Sequence, residues 1–364
     1  KELVEGERQL LVPATCLQEH QNMEVVVDEG AASQLTRIRT PWLVGRCLWP
    51  KRFIRTAVLW LCEQVDKPIL KLTYQDYVDN RLGQLLEISG MAYDEINIQV
   101  FNDLQHTITG WPGGKPNADD STRPERAQPF PKRVLIFSPH PDDDVISMGG
   151  TFRRLITQGH DVHVAYETSG NIAVHDDVVL QTIDTARECG FEDKYDEVKA
   201  IIAGKRKGEP EPLELRKLKG SIRRAEAKAA CRHMGLNDRT NVHFLNLPFY
   251  ETGGVKKGLL TENDISRVVK LLQELKPDQI YAAGDLSDPH GTHRTCIEAV
   301  IEAMYQIQNE PWVKDCRFWL YRGAWQEWDL DMVDMAVPLS PDEVVQKRHA
   351  IYRHLSQKDV MPFP

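Results

Sequence analysis

The chain has 364 residues and a formal net charge of −9 at pH 7, from 45 Lys and Arg against 54 Asp and Glu. Its length allows more than one hydrophobic core, and an apolar share of 41% is that of an ordinary globular protein. The negative charge argues against nucleic acid or an anionic membrane as a partner, and no apolar run approaches the roughly 20 residues that span a bilayer.

Seven cysteines are scattered along the chain and form no C-x-x-C pair. An odd, dispersed set predicts reduced thiols rather than a disulfide framework. This pattern indicates a cytoplasmic protein. The sequence leaves both a monomer and a homo-oligomer open.

The first 45 residues look like the end of another folded unit. Within them, "MEVVVDEG" (23–30) predicts a strand, followed by a short helical segment. One strand and one short helix cannot bury their own apolar faces, so we expect residues 1–45 to be a tail.

Residues 46–110 show the apolar spacing of helices and predict a small helical connector region. The predicted helices cover 51–65, 73–89 and 92–108. Thr73 with Asp76 three residues later predicts a capping box at the start of the second helix, and Gly90 would end it.

Residues 111–131 are dense in Gly, Pro and polar side chains, which predicts a linker. In residues 132–364, predicted strands alternate with predicted helices. The strands are 133–138, 161–167, 241–246 and 278–283, and the helices are about 145–158, 214–235 and 262–275. This alternation predicts an α/β domain, a Rossmann-like three-layer sandwich with a mostly parallel sheet. In such sheets the ligand crevice lies outside the carboxyl ends of the strands.

The turn after the first of these strands, "SPHPDDDVISMGG", contains His140 and the consecutive aspartates Asp142, Asp143 and Asp144. Three adjacent carboxylates repel one another, and a bound cation would relieve that repulsion. The aspartates also precede a predicted helix, so they could instead cap its N-terminus in water.

A second polar cluster, "DLSDPHGTHRT", follows the last predicted strand and contains His290 and His293. One histidine and one carboxylate from the first turn, with one histidine from this loop, match the three protein ligands of a catalytic zinc site. The same donors also suit other divalent transition metals. An uncoordinated carboxylate could act as general base, and an uncoordinated imidazole could stabilise an oxyanion. The residue types therefore predict a metal-dependent hydrolase of an amide or ester.

The region after the linker resembles the PIG-L/LmbE family of zinc-dependent N-deacetylases, which act on N-acetylglucosamine-type conjugates. The family's P-H-P-D-D-E motif corresponds to residues 139–144, and its later H-x-x-H motif to residues 290–293. The resemblance implies a role for each matching position. The metal ligands would be His140, Asp143 and His293, with Asp142 as general base and His290 as the group that stabilises the tetrahedral intermediate.

Further positions follow from the same resemblance. Arg223, in a helix similar to the family's R-x-x-E helix, would reach substrate hydroxyls or phosphate, unless it is simply an exposed helix arginine. Asn171 would contact substrate from the loop after the second strand. Asp144 stands where the family has glutamate and would support the site from behind the ligands. "HLSQ" (354–357) resembles a late family feature near the pocket.

Residues 16–36 resemble the C-terminal tail of a glucosamine-6-phosphate deaminase/isomerase domain. Residues 60–86 resemble the bridge of bacterial proteins that fuse such a domain to a PIG-L-type domain. The resemblance implies a covalently fused N-terminal domain in the full-length protein. It also implies a small amino-sugar substrate, N-acetylglucosamine or its phosphate.

Two other hypotheses compete with the deacetylase. The first is a non-catalytic sugar-binding or oligomerisation module that keeps a vestigial metal site. The second is a receiver-like signalling domain, which also places paired aspartates after its first strand, around a magnesium ion.

Overall fold

The computed structural model describes residues 1–117, 121, 123, 128–190, 195–206, 208–286, 288–323 and 326–358. The chain divides into two compact units, residues 1–108 with 329–334 and residues 109–328 with 335–364. None of the helices in the described part of the chain has the length and apolar character needed to cross a bilayer.

The first unit is helical. Its helices are α1 (Glu2–Glu5), α2 (Glu29–Ala32), α3 (Thr36–Arg39), α4 (Lys51–Val65), α5 (Tyr74–Asp79), α6 (Gly83–Ser89) and α7 (Tyr93–Thr107). Val58 and Leu61 of α4 are fully buried against Trp42 and Tyr77. The predicted capping box between Thr73 and Asp76 is present at the start of α5.

The single helix predicted over 73–89 is wrong, because the chain turns between α5 and α6. Arg81 has a positive φ of 63°, and the N–H of Leu82 donates to the Tyr77 carbonyl oxygen at 2.8 Å. This turn directs the fully buried Leu82 into the core. As predicted, Gly90 ends α6 in the left-handed region, at φ 67°.

The strand predicted over 23–30 is also wrong. Residues 23–28 have no regular structure, and residues 29–30 begin α2. Val26 is 88% exposed. A β-rich run forms a strand only where a neighbouring strand pairs with it, and the described residues of this unit supply none.

The second unit is built on a five-stranded parallel sheet. Its strands are β1 (Arg133–Ser138), β2 (Asp161–Tyr166), β3 (Val242–Phe244), β4 (Gln279–Ala283) and β5 (Arg317–Tyr321). The strand order is β3-β2-β1-β4-β5. A receiver-like domain has the order 2-1-3-4-5, so this order excludes that hypothesis.

Helices cover both faces of the sheet. The helices of this unit are α8 (Asp143–Thr157), α9 (Asp176–Glu188), α10 (Tyr195–Ala203), α11 (Leu213–Met234), α12 (Glu262–Leu275), α13 (Thr292–Gln306) and α14 (Pro341–Ile351). Of these, α9 and α10 pack with α11 in a separate small core. Side chains alternate across β1. Val134 and Ile136 pack in a core with α8, α11 and α14, whereas Leu135 and Phe137 pack in a second core with α12 and α13. The predicted three-layer α/β fold is therefore confirmed.

The neighbours β1 and β4 mark the point where the strand order reverses. Val134 of β1 is in register with Val162 of β2 on one side and with Gln279 of β4 on the other. Open α/β sheets bind their ligands outside the carboxyl ends of the strands at such a point. Both polar clusters singled out in the sequence follow these two strands.

Candidate metal centre

The turn after β1 is held by hydrogen bonds to its own backbone. Ser138 Oγ donates to the His140 carbonyl oxygen at 2.6 Å, and Thr168 Oγ1 donates to the Pro139 carbonyl oxygen at 2.7 Å. Asp143 Oδ2 accepts the His140 N–H at 2.8 Å. Because Thr168 lies just beyond β2, these bonds fix His140 relative to two neighbouring strands.

The turn and the start of α13 together form a compact set of metal donors. Asp143 Oδ2 lies 3.2 Å from His140 Nδ1 and 3.2 Å from His293 Nε2, and the two histidine nitrogens are 3.3 Å apart. Tetrahedral zinc, with bonds of about 2.0 to 2.1 Å, needs donors about 3.3 Å apart. Among the described residues this is the one such group of His, Cys, Asp and Glu side chains. The three predicted ligands therefore fit a single metal ion.

The charges of these three residues also suit a cation. Burial opposes ionisation of Asp143, but the adjacent His293 and His140 outweigh it and hold the pKa of Asp143 well below its ordinary value. Burial likewise opposes protonation of His293, yet Asp143 and Asp285 raise its pKa to about 11. At neutral pH the group therefore holds a proton, which a bound metal ion would displace.

Asp142 does not cap the helix that it precedes. Its side chain makes no capping hydrogen bond to α8, and its Oδ1 instead lies 3.1 Å from Nη2 of Arg223 on α11. Both residues are buried, with Arg223 1% exposed. The sequence-based alternative of an exposed helix arginine is therefore wrong, because α11 turns this side chain inward onto the turn after β1.

The side chain of Asp144 is fully buried beneath the turn. It accepts a hydrogen bond from Tyr166 Oη at 3.0 Å, and its Oδ1 lies 3.3 Å from Ser138 Oγ. Burial raises its pKa to about 7. The Asp144 carboxyl group thus contacts these two hydroxyls rather than a ligand imidazole.

Asn171 and His290 occupy different environments. Asn171 is buried, and its Nδ2 donates to Ser169 Oγ at 2.7 Å and to Glu251 Oε2 at 2.9 Å. Its Oδ1 is buried without a protein partner among the described residues. His290 is exposed, at the end of the loop that leads into α13.

Further side chains near the donors were not predicted as site residues. Tyr250, from the loop after β3, meets the His140 ring edge to face, with 5.9 Å between ring centres. Glu167, at the end of β2, is buried, and burial raises its pKa to about 8. His354, in the "HLSQ" segment, is fully buried, with both ring nitrogens lacking a partner in the described residues. Tyr250 and Glu167 follow β3 and β2 respectively. The rule that ligands bind at the carboxyl ends of parallel strands could therefore have selected both residues from the sequence.

Residues 135–304 match the sequence profile of the PIG-L family, described as GlcNAc-PI de-N-acetylase. This part of the chain is a PIG-L domain. The match confirms the family predicted for this region and supports a deacetylase-type hydrolase.

A glucosamine-6-phosphate deaminase-like protein of Bacteroides thetaiotaomicron is 52% identical over 376 residues, which cover 100% of this chain and 56% of that protein. The chain thus spans about half the length of the curated relative that it matches. Matching solved structures include the N,N'-diacetylchitobiose deacetylase of Pyrococcus horikoshii (21% identity, TM-score 0.41, 64% of this chain and 71% of the other). A conserved protein of Thermus thermophilus matches at 18% identity and TM-score 0.38, over 64% of this chain and 82% of the other.

Proposed function

We propose that the PIG-L domain is a metal-dependent hydrolase that removes the acetyl group from an N-acetylated amino sugar, N-acetylglucosamine or its phosphate. One observation supports this most strongly: three metal donors 3.2 to 3.3 Å apart lie beside a buried aspartate that is paired with an arginine. A site of this kind offers both a place for a cation and a carboxylate that is not needed to hold it.

The metal would be held by His140, Asp143 and His293. Two imidazoles and one carboxylate suit zinc, and also divalent iron, cobalt or nickel. When bound, the ion would polarise the acetyl carbonyl and lower the pKa of water toward about 7.

Asp142 would act as the general base. It would accept a proton from the water that attacks the acetyl carbonyl carbon, and then deliver that proton to the nitrogen as the C–N bond breaks. The products are acetate and the free amine. Arg223 would hold the carboxylate in position, since its Nη2 is 3.1 Å from Asp142 Oδ1. Asp144 would support the turn through Ser138 and Tyr166.

His290 and Asn171 would act on the substrate itself. The imidazole of His290 is exposed at the loop before α13, where it would donate a hydrogen bond to the oxyanion that develops during attack. Asn171 Oδ1 lacks a protein partner among the described residues, so it would accept a hydrogen bond from a sugar hydroxyl. Arg223 has further buried N–H groups without an acceptor in the described part of the chain, and would reach a hydroxyl from the same side.

The names of the matching proteins support an amino sugar as substrate. The family profile is described as a GlcNAc-PI de-N-acetylase, and the Bacteroides relative is named glucosamine-6-phosphate deaminase-like. We infer that the full-length protein joins this domain to an N-terminal deaminase-like domain, which would use glucosamine 6-phosphate. A deacetylase that releases an amino sugar would supply the substrate of such a domain.

The test is acetate release from N-acetylglucosamine and N-acetylglucosamine 6-phosphate by metal-loaded protein, metal-depleted protein and the Asp142→Asn variant. We expect release by the first, little by the second until zinc is restored, and a loss of at least about 10²-fold in the variant at unchanged metal content. Activity that survives both metal removal and Asp142→Asn would contradict the mechanism. Sugar binding without acetate release by the loaded wild type would favour the non-catalytic sugar-binding module.

A further inference from the structure

The loop between β3 and α12 brings a lysine close to the metal donors. The ammonium of Lys257 stands over the ring of Tyr250, 4.1 Å from its centre. The same tyrosine meets the His140 ring with 5.9 Å between ring centres. These two distances add to 10.0 Å, so the ammonium lies within that distance of the centre of the His140 ring.

Lys257 makes no ion pair or hydrogen bond through its ammonium with the described part of the chain. Its side chain is half-buried, and burial lowers its pKa to about 8, although the charge of Glu251 partly opposes that shift. Lys219, a buried lysine of the same unit, is by contrast paired with both Asp176 and Glu211. An ammonium that is withdrawn from water without an ion pair loses hydration free energy, which a bound anion would restore.

The loop that holds Lys257 is ordered by its own hydrogen bonds. The Gly258 N–H donates to the Phe249 carbonyl oxygen at 2.7 Å, which closes the loop at its two ends. Inside it, Thr252 Oγ1 donates to the Lys256 carbonyl oxygen at 2.8 Å. Arg216 Nη1 donates to the Glu251 carbonyl oxygen at 2.6 Å and ties the loop to α11. Such a preformed loop presents the lysine without an ordering cost when ligand binds.

We propose that Lys257 binds a phosphate monoester on the sugar, at the side of the ring opposite the acetamido group. This inference rests on the proposed function, because the metal donors would mark the position of the acetamido group. In a 2-acetamido hexose, C2 lies across the ring from C5, which carries C6. A 6-phosphate therefore points away from the acetamido group. With the acetamido group at the metal donors, the phosphate would extend past Tyr250 to Lys257. Lysine binds phosphate as a compact point charge and needs no second donor of fixed geometry.

The test is calorimetric binding of glucosamine 6-phosphate and of glucosamine to the metal-loaded full chain. We expect the wild type to prefer the phosphorylated sugar, and Lys257→Gln to reduce that preference by about 10- to 100-fold. Lys257→Arg should retain most of the preference. Lys256→Gln is the matched control, because Lys256 is an exposed neighbour of the same charge, and it should leave the preference unchanged.

Three results would overturn the inference. In the first, the wild type does not prefer the phosphorylated sugar. In the second, Lys257→Gln loses the same affinity for both sugars. In the third, Lys256→Gln loses as much of the preference as Lys257→Gln does. Because the ligands are reaction products, the binding test does not depend on turnover. Selective binding of the phosphorylated sugar without acetate release would contradict only the proposed activity. Acetate release without such selectivity would contradict only the role of Lys257.

Discussion

Arg223 on α11 and Asp142 in the turn after β1 form a buried ion pair, with 3.1 Å between Nη2 and Oδ1. The arginine is 1% exposed and the aspartate 5% exposed. A buried carboxylate that loses its charged partner is strongly destabilising, because the remaining charge is left in a medium that solvates it poorly. The pair therefore couples the proposed general base to the stability of the domain.

Arg223→Gln should lower acetate release by about 100-fold and the free energy of unfolding by about 3 kcal/mol. The matched control is Arg224→Gln, since the neighbouring arginine bonds to Ser221 in an exposed position. Adding Asp142→Asn to Arg223→Gln should recover stability, measured by urea unfolding, but not activity. Wild-type acetate release by Arg223→Gln would show that the arginine does not position the base.

His290→Asn should lower kcat by about 10²- to 10³-fold and leave the metal content unchanged, because the imidazole would stabilise the oxyanion without holding the metal. His175→Asn, at an exposed histidine before α9, serves as the control. The measurements are steady-state kinetics and elemental analysis of the same preparations. An unchanged kcat would remove His290 from the mechanism, and a loss of metal would make it a ligand.

Lys219→Met should destabilise the second unit by about 3 kcal/mol, because Lys219 is buried and its Nζ lies 2.8 Å from Asp176 Oδ1 and 2.7 Å from Glu211 Oε1. The substitution leaves those two carboxylates with Lys205 as their shared cation. Lys217→Met, at an exposed position of the same helix, should change stability by less than about 0.5 kcal/mol. Equal denaturant midpoints for the two variants would contradict this prediction.

His160 should make the second unit sensitive to acid. Burial, with a contribution from Lys132, lowers the pKa of His160 from 6.5 to about 4. Between these values the unfolded chain binds a proton that the folded protein does not, so stability falls as the pH drops through this range. Between pH 7 and pH 4 the free energy of unfolding should fall in both proteins. We expect the fall in His160→Asn to be smaller than in the wild type by about 1 to 3 kcal/mol. Parallel stability curves over that range would show that His160 is not responsible.

The strands and the strand-end clusters could be predicted from sequence because each depends on a local pattern. The strands β1, β2 and β4 are buried in a parallel sheet. Strands of this kind appear in a sequence as nearly continuous apolar runs. Parallel strands also bring their carboxyl ends to one edge, so His140 and His293 were expected together although they are 153 positions apart. The structure brings both beside Asp143.

Other features depend on contacts that no local pattern reveals. β5 was missed because it lies at the edge of the sheet, where three of its five residues are exposed. The ion pair between Asp142 and Arg223 arises only when α11 packs against the turn after β1. The position of Lys257 over Tyr250 similarly depends on how a loop of mixed composition folds back on itself.

The most direct test of the proposed metal centre is anomalous X-ray diffraction from crystals of the zinc-loaded protein, with data collected on both sides of the zinc absorption edge. A single strong peak about 2 Å from His140 Nδ1, Asp143 Oδ2 and His293 Nε2 is the expected result. That peak should disappear in Asp143→Ala and persist in Asp142→Asn. A zinc peak elsewhere in the chain, or none at these three atoms at full zinc occupancy in solution, would contradict the account.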